Sequence, residues 1–227
     1  MKRNDLFPTP VWTFDQCGVG KDKILDFVNV VREEDTRGRE SSNIGGWQSW
    51  DFTPPVMKEN PLGELHDNII QHAYACADDF GFQHYTLSML NLWINVNKKG
   101  DSNASHTHPG AILSGVYYLS LPECCYGNFI FQRNPVDQHL RESWGCSDNF
   151  NRYNELVADE YDIYPEEDRL IIFPSWLTHR VDPSAGDGDR ISISFNITAH
   201  SNFYHEIYPK GRDNSCLLYT SPSPRDS

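Results

Sequence analysis

The pattern of apolar and polar positions changes period near Gly81. Upstream, Ile24, Leu25, Phe27, Val28 and Val31 recur at helical spacing between Lys21 and Glu34, which predicts an amphipathic helix. Leu62, Leu65, Ile69, Ala73, Cys76 and Phe80 repeat the pattern and predict a second, longer helix. Asn60 is placed to cap it, Pro61 to occupy its first position, and Gly81 to stop it. Downstream the period becomes two: Asn91, Trp93, Asn95 and Asn97 alternate strictly with Leu92, Ile94 and Val96, the signature of a strand with one polar face. Leu87 and Met89 precede that run as further apolar positions.

After a Lys98-Lys99-Gly100-Asp101 turn, further strands are predicted over Ala111 to Leu121, Phe129 to Phe131, Asp168 to Pro174 and Arg190 to Thr198. Near the N-terminus, Leu6 to Phe14 is apolar and aromatic but carries Pro8 and Pro10, which suits an edge strand. Two helices followed by many short strands predict an α+β chain, an antiparallel jelly roll with helices packed on one sheet. Two stretches resist this pattern. Thr36 to Pro55 is rich in Gly, Ser and Asn and reads as a loop anchored by Trp47 and Trp50, and Val136 to Tyr161 reads as a long loop.

Composition narrows the class. A formal charge of −13 argues against a phosphate backbone as direct partner, because nucleic-acid binding relies on Lys and Arg. A neutral or cationic small molecule, or a protein, is the expected substrate class, and the oligomeric state, a homodimer included, is left open. No apolar run approaches the ~20 residues of a membrane span, and the basic start Met1-Lys2-Arg3 lacks an apolar stretch behind it, so the cytoplasm is the default expectation. The six cysteines show no C-x-x-C spacing, and adjacent Cys124 and Cys125 read as two thiols rather than a disulfide.

Three segments carry the candidate chemistry: Asn103 to Gly110 with His106 and His108, Phe173 to Val181 with His179, and Arg190 to Asn196 with Ser192 and Ser194. Two His one residue apart project from the same side of an extended chain, and a third from a distant strand closes a metal site. Arg190, Ser192 and Ser194 share a face, which suits a carboxylate gripped by an Arg fork. Bland readings stand beside these: a satisfied core histidine for His179, a surface ion pair for Arg190, and plain packing for Trp47.

A His pair, a later His and then Arg-x-Ser together resemble the iron(II)- and 2-oxoglutarate-dependent oxygenases. Gly115-Val116-Tyr117-Tyr118 and Phe173-Pro174-Ser175-Trp176-Leu177 resemble a branch of that superfamily found in marine bacteria and their phages, with the likeness running from about Leu6 to about Tyr208. The resemblance implies a double-stranded β-helix that couples decarboxylation of 2-oxoglutarate to succinate with oxidation of a substrate, using Fe(II) and O₂. It implies His106, His108 and His179 as metal ligands, and Arg190, Ser192, Tyr118 and Asn95 around the cosubstrate. Trp47 and Gln48 are candidate substrate contacts, since long loops on a rigid scaffold carry function.

The family's usual H-x-D/E is His106-Thr107-His108 here, and three readings of His108 stay open. It is a third ligand. Or it stands beside the metal while water fills the carboxylate position, as in the aspartyl/asparaginyl β-hydroxylases with their H-T-G-P. Or Asp101 swings in as the acid. Whether Tyr117 or Tyr118 points inward depends on a strand register that sequence does not fix. A three-His cupin-type dioxygenase without 2-oxoglutarate and a non-catalytic jelly-roll binding protein are the alternatives. Residues 1–215 are expected to form one domain. The stretch from Cys216 onward resembles the translation of a sequencing-library adapter and is expected to carry neither fold nor function.

Overall fold

The computed structural model describes residues 1–2, 4, 7–83, 85–123, 127–134 and 156–201. The adapter-like tail, the Cys124-Cys125 pair and most of the Val136 to Tyr161 loop lie outside the described residues.

Eleven strands and three helices occur among them, in the order β1 (Trp12–Phe14), α1 (Lys21–Glu34), β2 (Asn43–Ile44), β3 (Trp47–Gln48), α2 (Pro54–Met57), α3 (Leu62–Asp79), β4 (Tyr85–Asn97), β5 (Ser102–His106), β6 (Leu113–Ser120), β7 (Phe129–Gln132), β8 (Glu160–Ile163), β9 (Leu170–Pro174), β10 (His179–Val181) and β11 (Arg190–Ser201). They form a six-stranded sheet, β1-β9-β6-β11-β4-β3, and a five-stranded sheet, β2-β5-β10-β7-β8. Every strand pairing is antiparallel. This is the predicted double-stranded β-helix with its helices on the larger sheet.

Alternation along the central strands separates two interiors. Leu92, Ile94 and Val96 of β4, Ile191, Ile193, Phe195 and Ile197 of β11, and Leu113, Tyr117 and Leu119 of β6 pack with Ile24, Val28, Leu62, Leu65, Ile69 and Ala73 of α1 and α3. The opposite face of the same sheet looks toward the smaller sheet, where Val116, Tyr118, Phe129, Phe131, Ile171, Phe173 and Leu177 form a second cluster. Tyr118 therefore points between the sheets. Tyr117 points toward the helices, and its hydroxyl donates to Asp168 Oδ1 at 2.8 Å.

Several sequence expectations are refined. The apolar phase of β4 shifts between Met89 and Leu92 because Asn196 pairs with Asn91 whereas Ile197 pairs with Met89. Leu90 is the extra residue of a β-bulge and is 46% exposed. The N-terminal strand begins only at Trp12, past both prolines, and lies at the sheet edge as expected. Helix α3 starts one residue later than predicted, with Pro61 at the N-cap, and Asn60 Oδ1 still accepts the Leu62 amide at 2.8 Å. The loop from Thr36 to Pro55 contains β2, β3 and the start of α2. Between those strands Gly45 and Gly46 adopt φ of 69° and 67°, carrying the chain from one sheet to the other.

Candidate active site

The pairing of β5 with β10 sets His106 directly opposite His179. His108 lies two residues past the end of β5, where its backbone amide donates to Ser175 O at 2.9 Å. The three rings converge: His106 and His179 have centroids 4.4 Å apart, His106 and His108 4.9 Å, and His108 and His179 5.0 Å. One ring nitrogen from each lies within 4.8 Å of the others, a spacing that suits a single metal ion.

Backbone carbonyls orient two of the rings. His106 Nδ1 lies 2.7 Å from Ala104 O and His179 Nδ1 2.8 Å from Leu177 O. An Nδ1–H held by a carbonyl leaves the Nε2 lone pair free for a metal. Among the described residues no carbonyl holds His108 in this way, and its Nε2 lies 3.2 Å from His179 Nε2. Burial lowers the pKa of all three; His179, stacked on Phe129 and edge-on to Phe173, falls to about 3, and His108 to about 4, with the nearby His106 adding to both. The triad is thus uncharged at neutral pH, the form that binds metal. Among the described residues no carboxylate joins it. Asp101 instead accepts the Lys98 amide at 2.7 Å in the turn before β5.

The wall of the larger sheet is built in rungs across its central strands. Asn95, Ser192 and Tyr118 are register partners on β4, β11 and β6, and Trp93, Ser194 and Val116 form the next rung. All six, together with the three His and Arg190, line one cavity that opens to solvent. Asn95 Nδ2 donates to Ser194 Oγ at 3.1 Å, while its Oδ1 is buried without a partner among the described residues.

Arg190 opens β11 opposite Asn97 and is only 2% exposed. Among the described residues its one hydrogen bond runs from Nη1 to Gly127 O at 2.9 Å, and no carboxylate is paired with it. A buried guanidinium without a counter-charge is costly, so a cavity built around one favours an anionic ligand.

Two sequence candidates lie elsewhere. Trp47 is 7% exposed among the residues of the helix-side core, its indole N–H donating to Asp35 O at 2.7 Å, and it is no part of the cavity wall. Gln48 pairs with Asn95 and is buried, yet it too stays out of the wall. Conversely Ser42, Trp93, Asn103, Phe129 and Phe173 line the cavity without having been singled out as site residues. Trp93, whose ring lies 5.7 Å from His108, was legible as a member of the polar face of β4. Phe129 and Phe173 gave no signal, because apolar runs read alike on either face.

A family model described as "Putative 2OG-Fe(II) oxygenase" matches residues 91–196, the segment that holds all three His and Arg190. That match spans just under half of the chain, and the family it describes uses Fe(II) and 2-oxoglutarate. Solved structures share the fold at low identity. A prolyl hydroxylase from Trichoplax adhaerens, in complex with a hypoxia inducible factor peptide fragment, superposes with a TM-score of 0.58 at 14% identity, covering 87% of this chain and 86% of its own. A prolyl-4-hydroxylase from Pseudomonas putida gives 0.52 at 15%, covering 85% and 95%. HygX from Streptomyces hygroscopicus, with nickel and 2-oxoglutarate bound, gives 0.50 at 12%, covering 84% and 83%. No curated protein matches the chain by sequence.

The donor set fits the family's metal. Imidazoles suit iron, and three on one side leave the opposite positions for other ligands. No helix of the described residues is long and apolar enough to cross a membrane.

Proposed function

We propose that this protein is an Fe(II)- and 2-oxoglutarate-dependent oxygenase, a hydroxylase whose Fe(II) is held by His106, His108 and His179 and whose 2-oxoglutarate is held by Arg190. The observation that carries the reading is the joint presence, in one cavity, of three convergent neutral imidazoles and a buried guanidinium with no carboxylate of its own among the described residues. Iron, when bound, supplies the activation of O₂ that oxidises the substrate, and the protein's part is to orient and to exclude water.

Arg190 grips the distal carboxylate of 2-oxoglutarate through a charge-assisted fork. Ser192 and Tyr118 supply hydroxyls beside it, and Asn95, whose Nδ2 donates to Ser194 Oγ, lines the same cosubstrate pocket. His106 and His179 present Nε2 because their Nδ1 protons are held by Ala104 O and Leu177 O. His108 completes the triad once its proton moves to Nδ1. An imidazole in place of the usual carboxylate leaves the iron site one positive charge higher. The substrate, a small molecule or a protein side chain, enters beside Trp93, with Ser42 and Asn103 also in the wall.

A three-His dioxygenase that does not use 2-oxoglutarate draws on the same donor set, but gives Arg190 no task. Anaerobic addition of Fe(II) and then 2-oxoglutarate separates the two readings. The expected result is a weak visible charge-transfer band that requires both and is lost in Arg190→Ala. A band that forms without 2-oxoglutarate dependence, or persists in Arg190→Ala, refutes the role given to Arg190.

A further inference from the structure

Behind Arg190, which lines the cavity, lies a backbone group from the segment that leads into the opposite sheet. Gly127 lies two residues before β7, and its carbonyl is the acceptor for Arg190 Nη1. The guanidinium also occupies the space where a side chain would begin. A Cβ built on Gly127 would lie 2.0 Å from Nη1, 3.2 Å from Cζ and 2.9 Å from Asp182 O. Gly127 has no positive φ, so the requirement for glycine here is one of space and not of backbone conformation.

The described surroundings favour one direction of relief. Asp182 is tied to the same segment by its amide, which donates to Asn128 O at 3.0 Å. The backbone of Arg190 is paired with Asn97 at the start of the long β11 ladder. The movable group is the guanidinium, and the free volume next to it is the cavity. An ordinary contact begins at 3.4 Å, so the head group would have to advance by more than an ångström, comparable to the length of one methylene.

We infer that Gly127 is a positioning residue: by contributing a carbonyl and no side chain, it sets how far back the Arg190 guanidinium sits, and thereby the length of 2-oxo dicarboxylate the cavity accepts. This rests on the assignment of Arg190 to the cosubstrate carboxylate. A glycine is expected wherever backbone must approach a ligand-binding group this closely. The close fit sets an upper limit on cosubstrate length from the protein side, while the metal sets the other end.

The test is Gly127→Ala, measured against oxaloacetate, which is one methylene shorter than 2-oxoglutarate. Fe(II) affinity in the absence of any 2-oxo acid should match the wild type. Affinity for 2-oxoglutarate should fall about tenfold or more, which corresponds to about 1.4 kcal/mol, while preference shifts toward oxaloacetate. In turnover, KM for 2-oxoglutarate should rise with kcat at saturation retained. A double-mutant cycle with Arg190→Lys removes Nη1 from the contact, so the cost of Gly127→Ala should largely vanish in the Lys background. Equal 2-oxoglutarate affinity in Gly127→Ala, an undiminished cost in the Lys background, or loss of Fe(II) binding would each overturn the inference. Failure of the underlying assignment looks different: wild type and Arg190→Ala would then bind 2-oxoglutarate alike.

Discussion

Two polar rungs cross the same three strands of the larger sheet and have opposite fates. In the first, Ser114 donates to Asn196 Oδ1 at 2.7 Å, Asn196 donates to Asn91 Oδ1 at 2.9 Å, and Asn91 donates to Asp51 Oδ2 at 3.0 Å. Arg39 holds the other oxygen of that carboxylate at 2.7 Å. The chain of donors is satisfied from the interior to the surface. Two rungs away lie Asn95, Ser192 and Tyr118, and just beyond them Asn97 and Arg190. Among the described residues, Asn95 Oδ1 and Asn97 Oδ1 are buried without partners and the guanidinium has only a backbone carbonyl. Both rungs are polar, but among the described residues only the second end holds side-chain groups short of partners, and of these Asn95 and Arg190 line the cavity. On the reading proposed above, incomplete satisfaction beside the cavity, and not polarity, distinguishes the binding end of the barrel, since native structures pair nearly all buried polar groups.

Substitutions can break this contrast in either direction. The largest effect is expected from Arg190→Met. Loss of a buried charged partner should weaken 2-oxoglutarate by about 2–5 kcal/mol, read by titration of the Fe(II)-loaded protein. Stability in urea should hold or rise, because a buried charge lacking a counter-ion is removed in exchange for an apolar chain of similar length. A marked loss of stability would mean that Arg190 has a structural partner beyond Gly127 O and would erase the difference between the rungs.

Asn196→Ala should do the reverse. It strands the Ser114 hydroxyl and Asn91 Oδ1, and should cost about 1–3 kcal/mol of stability while leaving 2-oxoglutarate affinity unchanged. Denaturant midpoints and cosubstrate titrations on the same preparation check both halves.

The pH dependence of the metal-free protein sharpens the comparison from the triad's side. His108 and His179 have folded pKa values of about 4 and about 3, and His72 and His106 are shifted in the same direction, all below the ordinary 6.5. A lowered histidine binds fewer protons folded than unfolded, so its contribution is complete above pH 6.5 and is lost as pH falls toward the folded values. The carboxylates Asp15, Glu160 and Glu167 are also lowered, but from 3.8, 4.5 and 4.5, so their loss begins lower. Between pH 6.5 and about 5 the urea midpoint should therefore decline through the histidines. His179→Gln should flatten that decline.

The smallest effect is expected from Ser192→Ala. Stability should stay within about 0.5 kcal/mol, and 2-oxoglutarate should weaken by about 0.5–1.5 kcal/mol, the worth of one hydrogen bond. A larger stability loss would place Ser192 with the satisfied rung.

Much of this arrangement was legible before any coordinates. The period of two from Asn91 to Asn97 gave the polar face of β4, and the Arg-x-Ser-x-Ser spacing gave that of β11. What sequence did not settle is pairing. The choice between Tyr117 and Tyr118 needed the register of β6 on β11, and the phase shift before Leu92 needed the bulge at Leu90. In sequence Trp47 is a candidate substrate contact, because aromatic loop residues serve either purpose. Its pairing with Val96, on the helix-facing side, puts it in the apolar core. Gly127 gave no signal at all, since its importance lies in a contact with a residue 63 positions away. His106 and His179 were legible as candidates, but their partnership came from a strand pairing across 73 positions (179 − 106) that no local pattern encodes.

The assignment of His108 is the step on which the metal site turns, and anomalous diffraction from crystals grown anaerobically with Fe(II) and 2-oxoglutarate tests it most directly. The expected result is one iron peak with Nε2 of His106, His108 and His179 each at about 2.1 Å, the metal–imidazole distance, and 2-oxoglutarate reaching back to Arg190. An iron bound by His106 and His179 alone, with His108 turned away and water in its place, would contradict the all-imidazole triad.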